Sequence, residues 1–165
     1  MKAEVHYSPE GGCTAAVVAA LAGEKKGVLM AAYQFTSPPI LEALTDCLKR
    51  GVPVRLVHDQ QGASSPTWKG RELAAAGGEV VLDGKHRIMH DKYLVLIGSR
   101  KVVTGSFNWT VSAETSNAEN LLVITDRNLM SLYQTDWNVH QSHATPLAEA
   151  RLVMSAAYPM PAWEE

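Results

Sequence analysis

The most constraining feature of this chain is a near-continuous apolar segment at residues 28–35. Strands buried on both faces have this composition, whereas strands with one solvated face alternate apolar and polar residues. Segments with helical character lie on either side, at residues 13–21 and from Ser37 to Arg50. The second begins with Pro38-Pro39 and ends before Gly51, both ordinary helix boundaries. A doubly covered strand between helices predicts an α/β fold.

The alternation of strands and helices continues along the chain. Further strands are predicted at residues 3–7, 52–57, 79–82, 92–97, 101–104 and 120–124, and further helices at residues 68–76 and 126–143. This order predicts a mixed β-sheet flanked by helices on both faces. We expect a single domain over residues 1–143 and a C-terminal extension over residues 144–165.

Composition narrows the function classes. No apolar run reaches the roughly 18 residues of a membrane helix, and the first residues do not have the pattern of a signal peptide. A net charge of −2 argues against a high-affinity architectural DNA-binding protein. It permits an enzyme with a local basic strip, for which the candidates are Lys85, His86, Arg87, Lys92, Arg100 and Lys101. Two compartments stay open: the bacterial periplasm if a signal peptide was removed, and the cytoplasm otherwise.

Neither a metal nor a cofactor is predicted. His86 and His90 have the spacing of zinc ligands on a helix, but their flanks are loop and strand, and no HExxH motif is present. His140 and His143 are expected on a solvated helix face. The two cysteines, Cys13 and Cys47, form no CxxC pair, which leaves either one disulfide or two buried thiols.

One stretch, HDKYLVLIGSRKVVTGSFNWT, carries the chemistry. It is typical of a β-hairpin, in which alternate side chains share a face, so His90 lies with Lys92 and Ser106 lies with Asn108. Together these residues offer an imidazole, a cation, a hydroxyl and an amide. This set suits a phosphodiester, because the cation and amide bind phosphoryl oxygens while the imidazole reacts.

The same stretch resembles the phospholipase D superfamily, whose signature is HxKxxxxD followed by GSxN. The similarity is greatest to its small bacterial branch of single-motif endonucleases and covers about residues 3–140. The segments that carry it are Tyr33-Gln34-Phe35-Thr36, residues 41–57, His90-Asp91-Lys92, Gly105 to Thr110, Ala113-Glu114-Thr115 and Asn117 to Asn120.

The resemblance implies a phospholipase D/nuclease-like fold and a metal-independent phosphodiesterase that requires no cofactor. The implied activity is nonspecific endonuclease cleavage of DNA, with RNA as a further candidate substrate. The implied roles are a catalytic His90, Lys92 and Asn108 as phosphate-binding residues, Ser106 as a positioning residue and Glu119 as the group that orients the histidine.

A single HxK motif implies a partner. Cleavage through a covalent phosphohistidine requires a nucleophile on one side of phosphorus and an acid for the leaving oxygen on the other. Larger family members carry two motifs, whereas this chain carries one. A twofold interface brings the same patch of two subunits together, so two copies of His90 can share one site. We therefore expect a homodimer.

Two alternatives stay open. The same site could serve a phospholipase acting on lipid headgroups, although no amphipathic membrane-binding helix is evident. The chain could also be a catalytically weakened nucleic-acid-binding protein, because Ile97 stands where the family motif has Asp. We expect the carboxylate of the motif Asp to bind backbone groups at a turn, so its loss should leave the chemistry intact.

The pair His58-Asp59 ends a strand and is either a supporting pair or a plain turn.

Overall fold

The computed structural model describes residues 1–150, which form one eight-stranded sheet and five α-helices. The strands are β1 (Lys2–Ser8), β2 (Val28–Ala32), β3 (Val54–Asp59), β4 (Glu79–Asp83), β5 (Tyr93–Leu96), β6 (Lys101–Gly105), β7 (Glu119–Thr125) and β8 (Thr145–Pro146). The helices are α1 (Cys13–Ala22), α2 (Pro38–Lys49), α3 (Gly70–Ala75), α4 (Val111–Thr115) and α5 (Arg127–His143).

The sheet is mixed, with strand order β1-β7-β6-β5-β2-β3-β4-β8. Strands β2, β3 and β4 run parallel, and the other neighbours pair antiparallel. The predicted hairpin is present as β5–β6, with Tyr93 opposite Thr104. The α/β fold with a mixed sheet is therefore confirmed.

Helices cover both faces of the sheet. Helices α1 to α4 contribute to the larger apolar cluster, and α5 packs on the other face through Trp137. All five residues of β2 are buried because both faces are covered. The indole N–H of Trp109 donates to the Ala31 carbonyl, and that of Trp137 donates to the Met30 carbonyl, each at 2.9 Å.

Some boundaries differ from the sequence predictions. Strand β2 ends at Ala32, three residues before the end of its apolar run, because Phe35 leaves the ladder and forms an isolated bridge with Trp109. The predicted C-terminal extension contributes β8, which pairs with β4, while residues 151–165 lie outside the described part. Cys13 and Cys47 are buried free thiols. Among residues 1–150, no helix has both the length and the apolar character needed to cross a membrane.

Candidate active site

The predicted site residues lie at one edge of the sheet, here called the site edge. Parallel strands β2, β3 and β4 end there, as does β6, whereas β5 and β7 begin there. The residues at or next to these strand ends are Tyr33, Asp59, Lys92, Ser106 and Glu119. The carboxyl ends of parallel strands are the usual location of ligand sites in open α/β sheets.

His90 and Lys92 flank the aromatic ring of Tyr33. The imidazole and phenol centroids are 4.6 Å apart, and the Lys92 Nζ lies 5.3 Å from the phenol centroid. Lys92 is buried and its ammonium donates to the His90 carbonyl at 2.7 Å, whereas His90 is exposed. Tyr33 is therefore a third member of the site, to which the sequence analysis assigned no role.

The environment of His90 favours a neutral ring. Desolvation lowers the pKa of its imidazole, and the neighbouring Lys92 charge lowers this pKa further, while Asp91 and Asp59 oppose the effect. A neutral imidazole has a free lone pair, which a nucleophile requires.

Asp59 holds the segment that leads into His90. Its buried carboxylate accepts 2.8 Å hydrogen bonds from the Met89 and Gly62 amides. Position 62 requires glycine, because a Cβ there would lie only 2.3 Å from the Tyr33 carbonyl oxygen. Asp59 therefore has the supporting role considered for His58-Asp59, because its carboxylate holds the backbone next to His90.

His58 is a core residue. Its ring is fully buried beside Trp68, and its Nδ1 lies 2.8 Å from the Asp59 carbonyl oxygen. Burial lowers the pKa of its imidazole to about 4, so the ring is neutral at physiological pH.

Ser106 and Glu119 form a second polar pair at the site edge. The Ser106 hydroxyl donates a very short hydrogen bond to the Glu119 carboxylate and accepts one from the Asn120 amide at 3.1 Å. Gly105 permits this close approach of β6 and β7, because a Cβ there would lie 2.1 Å from the Asn120 carbonyl oxygen. The predicted role of Glu119 in orienting His90 stays a prediction, since the hydrogen bonds that its carboxylate accepts come from Ser106 and Asn117.

Asn108 follows β6, and its side-chain oxygen is buried without a hydrogen-bond partner among residues 1–150. Unsatisfied buried polar atoms of this kind are uncommon in folded proteins. Its phosphate-binding role stays a prediction, as do the roles assigned to Lys92 and Ser106.

An open cleft of about 580 Å³ lies over the site edge. One wall is the start of β5 with the end of β6, and the other is the helix α5. Its lining includes His90, Lys92, Ser106, Leu132 and Tyr133. Leu132 is 68% exposed, so an apolar side chain stands at the rim beside the candidate nucleophile.

The predicted basic strip is not continuous. Lys85 and Arg87 are exposed on the loop that leads to His90. Arg100 and Lys101 instead lie at the β5–β6 turn, which is at the opposite edge of the sheet. The two groups are close in sequence but far apart in space, because β5 runs from the site edge to the opposite end of the strands between them.

The turn that follows β5 is organised by Glu24, a residue that the sequence analysis missed. Its buried carboxylate accepts hydrogen bonds from the amides of Lys26, Gly27, Gly98 and Ser99 and from the Ser99 hydroxyl, at 2.7–3.2 Å. This is the backbone-binding role expected for the motif Asp that Ile97 replaces. Burial alone would raise the pKa of Glu24, but these hydrogen bonds lower it to about 2.

The interpretation of His140 and His143 as a solvated helix face is wrong. Their side chains are only 11% and 16% exposed, and both contact the buried carboxylate of Asp83. Helix α5 turns its last residues toward the sheet, which its boundaries alone did not reveal.

Comparison with known proteins agrees with this geometry. Residues 17–140 match the sequence profile of the family described as cardiolipin synthase, PLD-like domain. The chain belongs to the phospholipase D superfamily. Members of this superfamily are phosphodiesterases.

Curated relatives of this phospholipase D-like chain bear two kinds of name. A phospholipase D of Rickettsia prowazekii is 37% identical over 131 residues, which is 79% of this chain and 63% of that protein. A mitochondrial cardiolipin hydrolase of Xenopus laevis is 34% identical over 117 residues, which is 71% of this chain and 55% of that protein. The chain thus matches less than two thirds of the length of either relative.

Among solved structures, the phospholipase D family member Nuc from Salmonella typhimurium matches with a TM-score of 0.84 and 34% identity. The match covers 88% of this chain and 97% of Nuc. NucT from Helicobacter pylori matches with a TM-score of 0.81 at 19% identity, covering 88% of this chain and 99% of NucT. The latter likeness concerns the fold alone.

Proposed function

We propose that the chain is a metal-independent phosphodiesterase that cleaves DNA as an endonuclease, at a site shared by two subunits of a homodimer. The observation that carries the proposal is the His90–Tyr33–Lys92 arrangement beside Ser106 at an open site edge. An open cleft admits a long polymer at an internal position. The exposed Lys85 and Arg87 on the loop before His90 would attract its phosphates.

The chemistry follows from the side chains. The neutral His90 imidazole attacks phosphorus, a phosphorus–nitrogen bond forms, and the bond to the leaving oxygen breaks. An acid on the opposite side protonates that oxygen. Water then attacks the phosphohistidine: a new phosphorus–oxygen bond forms, the phosphorus–nitrogen bond breaks to release the neutral His90, and the same acid, now a base, takes the proton of the water. Lys92 offsets the negative charge that builds on the nonbridging oxygens.

Residues 1–150 offer no second histidine beside His90 at the cleft, whose lining holds a single imidazole. A second copy of His90, supplied by a twofold-related subunit, would provide the acid. The exposed Leu132 at the rim is an apolar side chain of the kind that a subunit interface covers.

Phospholipid hydrolysis is the second candidate. The names of the rickettsial and Xenopus relatives favour it, because these proteins are a phospholipase D and a cardiolipin hydrolase. The reaction would use the same residues with a lipid headgroup as the leaving group.

A paired assay tests the proposal. Purified protein is given supercoiled plasmid in one reaction and cardiolipin or phosphatidylcholine vesicles in another, with the His90→Ala variant as the control for contaminating enzymes. We expect plasmid nicking at a rate well above lipid hydrolysis. Lipid hydrolysis without nicking would support the second candidate, and neither activity would support a nucleic-acid-binding protein that has lost catalysis.

Chelation should spare the activity. Because the imidazole is itself the nucleophile, no metal-bound hydroxide is required, and cleavage in excess EDTA should stay within about twofold of the untreated rate. The measurement is plasmid nicking at a temperature well below the melting midpoint of the chelated protein. Loss of cleavage that Mg²⁺ restores would contradict the mechanism.

Mixed dimers should report the shared site. If each site needs two copies of His90, diluting wild-type subunits with His90→Ala subunits should reduce activity with the square of the wild-type fraction after exchange. Independent sites would give a linear decrease. Sedimentation at the assay concentration provides the matching test, because a fully active monomer would rule out the shared site.

A further inference from the structure

A second cluster of reactive side chains lies beside the active site. Asp83 is the last residue of β4, and His86 follows it on the loop that leads to His90. His140 and His143 are three apart in the last turns of α5, so they share one helix face. The sheet edge, the active-site loop and the helix thus meet at one point.

The ligand atoms of this cluster are close together. Asp83 Oδ2 lies 2.9 Å from His86 Nδ1, 2.8 Å from His140 Nδ1 and 3.0 Å from His143 Nε2. All four atoms lie within 4.8 Å of one another. The Asp83 side chain is fully buried, and the His86 side chain is the most open of the four, at 44% exposure.

Hydrogen bonding alone explains this packing poorly. Three imidazole nitrogens crowd one carboxylate oxygen, which offers about two lone pairs, and each nitrogen would have to carry a proton to donate. The other oxygen, Oδ1, already accepts from the amides of Lys85 and His86. A cation among the four atoms would instead let each imidazole present a lone pair.

We propose that Asp83, His86, His140 and His143 form a structural binding site for a divalent transition-metal ion, with Zn²⁺ as the ion of best fit. Three imidazoles and one carboxylate are ordinary zinc ligands, and four protein ligands complete a tetrahedral, closed site. In such a site the ligand atoms are about 3.3 Å apart, so the three Asp83–histidine distances of 2.8–3.0 Å would lengthen by a few tenths of an ångström. The proposal revises the prediction of no metal.

The surroundings of His140 fit a metal ligand. Its Nδ1 points to the cluster, while its Nε2 lies 3.3 Å from Asp91 Oδ2 and 3.7 Å from Asp136 Oδ2. Histidines that bind metals characteristically donate their other ring N–H to a carboxylate, which fixes the tautomer. The two additional carboxylates also provide negative charge close to the cation.

The site would fasten the active-site loop. His86 belongs to the segment between β4 and β5, in which residues 84–88 are exposed. A bond from His86 through the ion to α5 would hold this segment against the helix that forms the other cleft wall. The ion would have no place in the reaction, because the closed site leaves no position for a substrate oxygen.

Metal content and stability provide the test. Protein without an affinity tag is stripped with EDTA, dialysed and titrated with Zn²⁺ or Co²⁺ alone. We expect one Zn²⁺ per chain, a rise in melting midpoint of about 5–10 °C at saturating Zn²⁺, and the visible absorption of tetrahedral Co²⁺.

The variant His86→Gln provides the specificity test, because this ligand is half-exposed and its loss should leave the fold intact. It should lose both the stoichiometric binding and the Zn²⁺-dependent shift. His6→Gln, on the β1 edge of the sheet, is the matched control and should keep both. A wild type that binds no Zn²⁺ and shows no shift, or a His86→Gln variant that responds like wild type, would overturn the site and leave a hydrogen-bond network only.

Discussion

Replacement of His90 by alanine is expected to lower the rate of phosphodiester cleavage by at least about 10⁴-fold, because the group that forms the covalent intermediate is removed. The fold should persist. The ring is exposed, and the hydrogen bond from Lys92 goes to the backbone carbonyl of residue 90, which alanine keeps. The Met89 amide likewise keeps its bond to Asp59. The variant therefore removes the imidazole and little else.

The measurement should follow single-turnover cleavage of labelled DNA, with an alkaline quench, because phosphohistidine is stable in alkali. Wild type should yield a labelled protein adduct, and His90→Ala should yield none. His6→Ala is the control for loss of a histidine elsewhere, and far-ultraviolet dichroism checks the fold. Near-normal cleavage by His90→Ala would show that this histidine is not the nucleophile and that the reaction proceeds without a phosphohistidine.

The part of the site edge formed by His90 and Lys92 was predictable because these residues are two apart in sequence. The hairpin that follows them was predictable from the Gly98-Ser99 turn. The shared face of Ser106 and Asn108 stays a prediction, because both residues lie beyond the end of β6. The topology could also be anticipated, because a doubly buried strand requires helices on both faces. These predictions rest on periodicity and on a motif, and both are carried by contiguous residues.

The features that were missed depend on long-range packing. Glu24 lies 74 residues from Gly98, and His143 lies 60 residues from Asp83. Neither pair has a signal in its own segment, since a glutamate after a helix and two histidines near a helix end are ordinarily solvated. One clue could have suggested that Glu24 takes over the role of the motif Asp. The motif position lacks its Asp, and Glu24 precedes a loop that contains glycine.

The Ile97 departure accordingly has a structural explanation. Ile97 packs against the apolar cluster under α5, and its amide donates to the Gly27 carbonyl. The turn after it receives its carboxylate from Glu24. The weakened-binder alternative rested on the missing Asp, so this alternative loses its main support. The chemistry at His90 lies at the other end of β5.

Glu24→Gln is expected to destabilise the protein by about 3 kcal/mol at neutral pH. The folded pKa of about 2 lies below the ordinary value of 4.5, and each pKa unit corresponds to about 1.4 kcal/mol. The physical reason is that glutamine replaces a charged acceptor of five hydrogen bonds with a neutral amide, half of which is a donor facing N–H groups. The melting midpoint should fall by about 6–12 °C.

The pH dependence of the unfolding free energy distinguishes a role of the Glu24 charge from a role of its packing alone. A depressed folded pKa contributes stability that is fully present above the unfolded pKa and is lost as the pH falls through 4.5 toward 2. Glutamine resembles the protonated carboxyl, so the difference in unfolding free energy between wild type and Glu24→Gln should shrink over that interval and nearly vanish at its acid end. Denaturant unfolding across this range, with Glu42→Gln on the exposed face of α2 as the control, measures it. A difference that stayed constant from pH 7 to pH 2 would show that the Glu24 charge does not hold the turn.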